Sequence, residues 1–288
     1  MFAFKNNNFI PIISDKFRRN DTNKVYLFTN ARDEPNIAEW VAHHILLGFD
    51  KVIVFDHLSV KPISETIGTN FNNKLNVIRV QGTGNVKIEL MKKAVNISNK
   101  NNVSWMLYLD ADEFLLLNNF TNVHDYLLSF KEADSIGINW LLFGSSGFVK
   151  QPSGLITENF IRSEIRLNHH VKTFVRPSVV TDIINPHYYI LTNSNRCVSS
   201  SKTKMPVGPY NEQPLPFINV NAYIAHYYIQ SEEEHLRRKG RGMDDGTPSK
   251  VEYISQIHTT YNNVINNQLQ NKYSQNTKHF LKKYGIVL

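Results

Sequence analysis

A chain of 288 residues can bury a substantial core, and 41% hydrophobic with 20% charged residues places it among folded globular proteins and excludes a largely disordered chain. The single cysteine, Cys197, excludes an intramolecular disulfide and a cysteine-rich zinc site and makes a reducing compartment the default. The formal charge of +7 admits a nucleic acid, an anionic membrane or a phosphate-bearing substrate. Positive charge concentrates only at Arg237, Arg238, Lys239 and Arg241, with no zinc-finger or RRM motif beside it, so a diphosphate pocket accounts for it as well as a solvated basic face does.

Residues 1–23 read as a polar, irregular extension without the basic and apolar regions of a secretory leader. No apolar run approaches the roughly 18 residues of a membrane span. The expectation is a cytoplasmic protein, soluble or peripheral to a membrane. Lys24–Thr29 has the short apolar, β-rich character of a buried strand, and Pro35 then opens a helix whose apolar face is Ile37, Trp40, Val41, His44 and Ile45, closed by Gly48. Lys51–Asp56 is a second buried strand, so the order strand, helix, strand opens a doubly wound α/β sheet. Leu75–Val80 predicts a third strand, residues 87–99 a helix, and Trp105–Leu109 a fourth strand that runs directly into Asp110-Ala-Asp-Glu-Phe114. Beyond it, residues 122–130 predict a helix and Ser135–Phe143 a strand. From Lys150 to about Val220 the pattern loosens into loops with two clear β pieces, Val171–Val175 and Tyr188–Leu191. Ser231 caps a helix with an acidic first turn, and further helical segments fill the C-terminus.

Asp110 and Asp112 stand at the carboxyl end of a buried strand, where open α/β sheets bind ligands. Two carboxylates there are costly without a cation. Magnesium or manganese takes carboxylate oxygens and keeps positions open for diphosphate oxygens, which suits transfer from an activated donor. A bare Asp-x-Asp triplet is more often a loop feature or a cap; the strand before it and Glu-Phe-Leu after it reverse that preference.

Asn30–His44, Gly48–Asp56 and Leu107–Phe114 together resemble the family 2-type glycosyltransferases, closer to the branch related to family 92. Trp140–Gly147, Lys172–Pro177, and Ala225–Glu234 with Lys239–Gly242 continue the resemblance in the same order, over about residues 24–245. Residues 246–288 then form a helical segment packed on that domain. The resemblance implies a GT-A fold: Rossmann-like α/β, with a mainly parallel central sheet flanked by helices, acceptor-side loops and C-terminal helices. It also implies a nucleotide-diphosphate sugar donor, with a uridine diphosphate sugar favoured, hexosyl or deoxyhexosyl transfer to a glycan or other hydroxyl acceptor, and manganese or magnesium. No nucleic acid is expected as partner.

On the same resemblance, Asp56 faces the donor base or ribose, the alternative being a strand-end aspartate. Arg32 and Glu34 lie beside the nucleotide, or serve only helix-start electrostatics. Asp110 approaches ribose or metal, Asp112 ligates the metal, Glu113 supports the turn, and His226 completes the metal shell or is a satisfied core group; His169, His170 and His187 are weaker candidates. Lys239 and Arg241 bind the diphosphate as it gains charge. The loop Gly144–Gly147 lets backbone approach a sugar or only turns the chain. A family 2-like enzyme inverts the anomeric centre with a carboxylate base on the acceptor side, for which Glu158 and then Asp182 are the candidates. Rival readings are a metal-dependent nucleotidyltransferase and a basic nucleic-acid-binding protein with a catalytically silent fold.

Overall fold

The computed structural model describes residues 23–68, 71–82, 86–212, 215–241, 256 and 258–286. The expected alternation is present: β1 (Val25–Ala31), α1 (Ile37–Leu46), β2 (Lys51–His57), a short α2 (Ile63–Ile67), β3 (Leu75–Val80), α3 (Val86–Lys100) and β4 (Trp105–Tyr108). Gly48 ends the chain's run along α1 at φ +96°, a left-handed geometry that costs glycine nothing. Next come β5 (Glu113–Leu117), α4 (Val123–Leu128), β6 (Ser135–Leu142), α5 (Ile156–Asn159), β7 (Arg162–Ser163), β8 (Val171–Val175), β9 (Val180–Asn185), β10 (Tyr188–Leu191) and β11 (Cys197–Ser199). The chain closes with β12 (Ala222–His226), α6 (Glu232–Arg241), β13 (Val264–Ile265), a π-turn at Gln270–Ser274 and α7 (Gln275–Lys283).

The main sheet runs β3-β2-β1-β4-β8-β6-β12-β5, with β11 beside β6. Parallel pairing joins β3, β2, β1 and β4, and again joins β6 to β11 and β12. β8 is antiparallel to both β4 and β6, and β5 to β12, so the sheet is mixed. The first half is buried on both faces, which explains its nearly unbroken apolar strands. Val25, Leu27, Val52 and Val54 face α1, while Tyr26, Phe28, Ile53, Phe55 and Met106 face α3 through Leu90, Met91 and Ala94.

Two features differ from the sequence expectation. β8 lies in the middle of the sheet, within a stretch read mostly as acceptor-side loops, and β5 is a buried strand where the sequence showed only the tail of an acidic motif. α1 pins β5 from below: Trp40 Nε1 donates to Glu113 O at 2.7 Å, His43 Nε2 lies 2.9 Å from Leu115 O, and Leu115 N donates to His44 Nε2 at 3.3 Å. Burial pushes the His43 imidazole down to about 4, so it serves as a neutral donor to that carbonyl. These polar side chains on an apolar helix thus hold the strand that leaves the acidic turn.

Candidate active site

Because β2 and β3 lie on one side of β1 and β4 on the other, the chain reverses its direction of winding between β1 and β4, where open α/β sheets form a crevice beyond the strand ends. A cavity of about 610 Å³ opens there. One wall is the end of β1, with Asn30, and the turn after it, with Arg32 and Glu34; the start of α3, with Lys87; and Asp110–Asp112 after β4. The other wall comes from β6, the segment before β8, the β9–β10 turn and β12, with Trp140, His170, His187 and His226. Tyr228, Arg238 and Lys239 close one end. Residues as far apart in sequence as Asn30 and Tyr261 therefore share one space.

The two aspartates have different partners. Asp110 gives one oxygen to Lys87 and the other to Lys172 Nζ at 3.0 Å, and its N–H donates to Glu113 Oε2 at 2.9 Å. Burial favours the neutral acid, yet the Lys172 and Lys87 ammonium groups hold Asp110 well below the usual carboxylate range. Lys172 is 1% exposed and also lies 3.5 Å from Glu113 Oε2; burial would lower its pKa, but the Asp110 and Glu113 carboxylates push it up to about 12. Glu113, fully buried, is raised to about 7 by desolvation against the opposing pull of Lys172.

Asp112 meets Arg238 Nη2 and His226 Nε2, the latter at 3.5 Å, both at Oδ2. Burial opposes ionisation, but Arg238 and His226 hold the Asp112 carboxyl well below its usual range. His226 arrives by register: β12 pairs it with Glu113 on β5, and Tyr227 N donates to Asp112 O at 2.9 Å. Its imidazole is raised above the usual value because Asp112 outweighs burial. α6 brings Arg238, capped as expected by Ser231 Oγ accepting from Glu234 N at 3.1 Å. Arg238 also donates to Tyr227 O and Tyr228 O, both at 3.3 Å, which orients its guanidinium toward Asp112.

Among the residues singled out in sequence, Arg32, Glu34, Asp110, Asp112, His226 and Lys239 line this cavity together. The side chain of Arg241 lies outside the described residues. Three others require correction. Asp56 is 1% exposed and does not line the cavity: it accepts from Ser59 N at 3.2 Å, Ile63 N at 3.0 Å and Arg79 Nη1 at 2.8 Å, so it closes the turn after β2. Glu158 on α5 pairs with Lys278 of α7 at 2.5 Å, and Asp182 on β9 pairs with Lys92 at 3.2 Å; neither lines the cavity. The Gly144–Gly147 loop approaches its own chain: a Cβ at Gly144 would lie 2.5 Å from both Asn262 Oδ1 and Thr260 O. Sequence reasoning did not assign Lys87 or Lys172 to the site, and it reached Arg238 only as part of a basic cluster that suits a diphosphate pocket. Lys172 opened one segment of the family resemblance, and it stood as one charge inside an apolar strand segment, a position where burial demands a counter-ion.

Asp112 and His226 suit a divalent cation: one hard carboxylate, and one imidazole whose buried Nδ1 has no hydrogen-bond partner among the described residues. Asp110 suits it less, with both oxygens on ammonium groups. No cluster of three or more His, Cys, Asp or Glu able to hold a metal occurs among the described residues. Nor, among them, is any helix long and apolar enough to cross a membrane.

The family model described as Glycosyltransferase family 92 matches residues 26–282. A glycosyltransferase family 92 protein of Oryza sativa subsp. japonica is 23% identical over 226 residues, 73% of this chain and 37% of that protein. One of Ricinus communis is 22% identical over 227 residues, 73% of this chain and 40% of that protein. The chain thus spans well under half the length of these relatives. Among solved structures, HddC from Yersinia pseudotuberculosis aligns with a TM-score of 0.36 at 9% identity, over 61% of this chain and 89% of that one. S. aureus TarS aligns with a TM-score of 0.31 at 14% identity, over 54% and 29%.

Proposed function

Since the chain belongs to glycosyltransferase family 92, we propose that it transfers a sugar from a nucleotide-diphosphate donor to an acceptor hydroxyl, with inversion at the anomeric carbon and with a divalent cation. The supporting observation is the convergence of Asp112, His226, Lys87, Arg238 and Lys239 at the crevice between β1 and β4. Asp112 and His226, 3.5 Å apart, offer a carboxylate and an imidazole for a cation. The same space carries cationic side chains for an anion that gains charge.

The nucleoside belongs on the wall made by the turn after β1, beside Arg32 and Glu34, and its diphosphate belongs over Lys87, Arg238 and Lys239. Asp112 and His226 would hold the cation, with donor phosphate oxygens and water completing its shell, the pattern by which magnesium uses few protein ligands. Manganese or magnesium bound there supplies Lewis-acid neutralisation of the departing diphosphate. Asp110 acts through charge: held between Lys87 and Lys172, it fixes Lys87 at the cavity edge. In the reaction the sugar C1–O bond to the diphosphate breaks, a bond from the acceptor oxygen to C1 forms on the opposite face, and the acceptor proton passes to a base.

The test is a panel of uridine- and guanosine-diphosphate sugars with manganese, scored by thermal stabilisation and by nucleoside diphosphate release, on the protein and on Asp112→Asn. Stabilisation by one donor that needs the cation and disappears in the variant supports the reading. Indifference of both proteins to every donor, with or without manganese, removes its basis.

A further inference from the structure

We propose that His170 is the catalytic base that takes the acceptor proton, an inference that rests on the transferase reading above. Its ring is prepared for that task by hydrogen bonding. His170 Nδ1 lies 2.8 Å from Asn168 Oδ1, and the same oxygen accepts from His170 N at 3.0 Å. An amide oxygen only accepts, so Nδ1 carries the proton and Nε2 carries the lone pair. Asn168 is itself fixed: its N–H donates to Trp140 O at 2.7 Å and its carbonyl accepts from Asn139 Nδ2 at 2.9 Å. This is the arrangement of a base oriented by a third group.

His170 Nε2 meets no hydrogen-bond partner among the described residues, and the ring lines the cavity on the wall opposite the turn after β1. It stacks on Trp140, with centroids 5.1 Å apart and planes at 20°. Trp140 lines the same space, and its buried Nε1–H is without a partner among the described residues. The lone pair on His170 Nε2 is the acceptor that a substrate hydroxyl needs for its proton, and the Trp140 ring beneath it holds the imidazole plane.

The other ionisable groups of the cavity are less suited. Asp110 is held by two ammonium groups, and Asp112 is the carboxylate assigned to the cation. Glu34 interacts with the Arg237 and Arg238 charges at the donor end, and His226 is turned to Asp112. His187 has the same tautomer, through Nδ1 at 2.9 Å from Val171 O, but burial and the Lys172 ammonium push it down to about 3, a weak base. The groups facing His170 are His169 beside it, Tyr210, His187 from the β9–β10 turn and His226 across Trp140. Burial, with His169 and His226, moves His170 below its ordinary value, so it stands unprotonated at neutral pH. As the acceptor oxygen bonds to C1, its proton moves to Nε2 while the C1–O electron pair leaves on the nucleoside diphosphate. Water then takes the proton from the imidazolium.

The first arm of the test needs no substrate: imidazole nitrogen shifts of the ¹⁵N-histidine-labelled protein, with His170→Gln for assignment. A protonated Nδ1 and bare Nε2 are expected; the reverse tautomer overturns the proposal. The second arm measures nucleoside diphosphate release from the donor panel with water and with a pool of methyl monosaccharides as acceptors. His170→Gln should lower kcat by about 10²–10⁴-fold while uridine diphosphate binding stays within about twofold, and Asn168→Asp should move the acidic limb of the pH profile upward. A His170→Gln enzyme that turns over within threefold of its parent, or an unshifted acidic limb in Asn168→Asp, overturns the base assignment and leaves the transferase reading standing. If the unaltered protein neither binds nor cleaves any donor, the transferase reading fails and the base assignment falls with it.

Discussion

Replacing Lys172 by methionine keeps most of the side-chain volume and removes the cation that contacts both Asp110 and Glu113, at 3.0 and 3.5 Å. Breaking a buried ion pair by deleting one partner costs about 3–5 kcal/mol, because the other charge is left in a poorly solvated place. Two features set the loss near the lower end: Asp110 keeps Lys87, and Glu113, already raised to about 7, can escape by taking a proton. At about 2 °C per kcal/mol for a chain of this size, the melting temperature should fall by roughly 6 °C. The pH dependence follows from Glu113. Its folded pKa lies above the unfolded value, so from about pH 4.5 to about 7 the folded state holds a proton the unfolded state lacks, and stability falls as pH rises through that window. At pH 5.5 Glu113 is mostly neutral in the parent, and only Asp110 registers the loss of Lys172. At pH 7.5 both carboxylates do. Melting curves of the parent and Lys172→Met at the two pH values should therefore show the larger deficit at pH 7.5, and adding Glu113→Gln should recover part of it there. A deficit below about 1 kcal/mol at pH 7.5, or one equal at both pH values, refutes the assignment of Lys172 as the buried counter-ion of this turn.

Glu158→Ala and Asp182→Ala should each leave donor turnover within about twofold, since neither residue lines the cavity; a tenfold loss in either would place the chemistry elsewhere. Glu39 is buried and raised to about 7 by desolvation, while its oxygens accept from Ile156 N at 2.7 Å and from Thr157 N and Oγ1 at 3.1 and 2.6 Å. It too lowers stability as pH rises from about 4.5 to about 7. Glu39→Gln should make urea-derived stability decline less steeply between pH 5 and 7; an unchanged slope would show that Glu39 does not carry this dependence.

The strands and helices around the β1–β4 crevice were legible because each obeys a local rule. Lys51–Asp56 and Trp105–Leu109 are nearly all apolar because both faces of their half of the sheet are covered, and α3 shows its apolar face against Phe28 and Phe55. β5 was not legible, because its opening residue is a glutamate held at Oε2 by Asp110 N and Lys172, two partners no local pattern displays. Asp56 shows the converse: its place at a strand end carried the expectation of a ligand contact, and only the surrounding chain shows its oxygens already taken by Ser59, Ile63 and Arg79.

By itself the sequence determined the α/β alternation, the carboxylate pair at the end of β4 and the family resemblance, all of which are encoded by residues close together in the chain. The tertiary structure decided which charges meet: Lys87 and Lys172 at Asp110, Arg238 and His226 at Asp112, and His170 against Trp140. These pairs are up to 126 residues apart. Hydrophobic periodicity sets which face of an element is buried, but a buried charge finds its partner only where separate elements converge, and that depends on strand order and register.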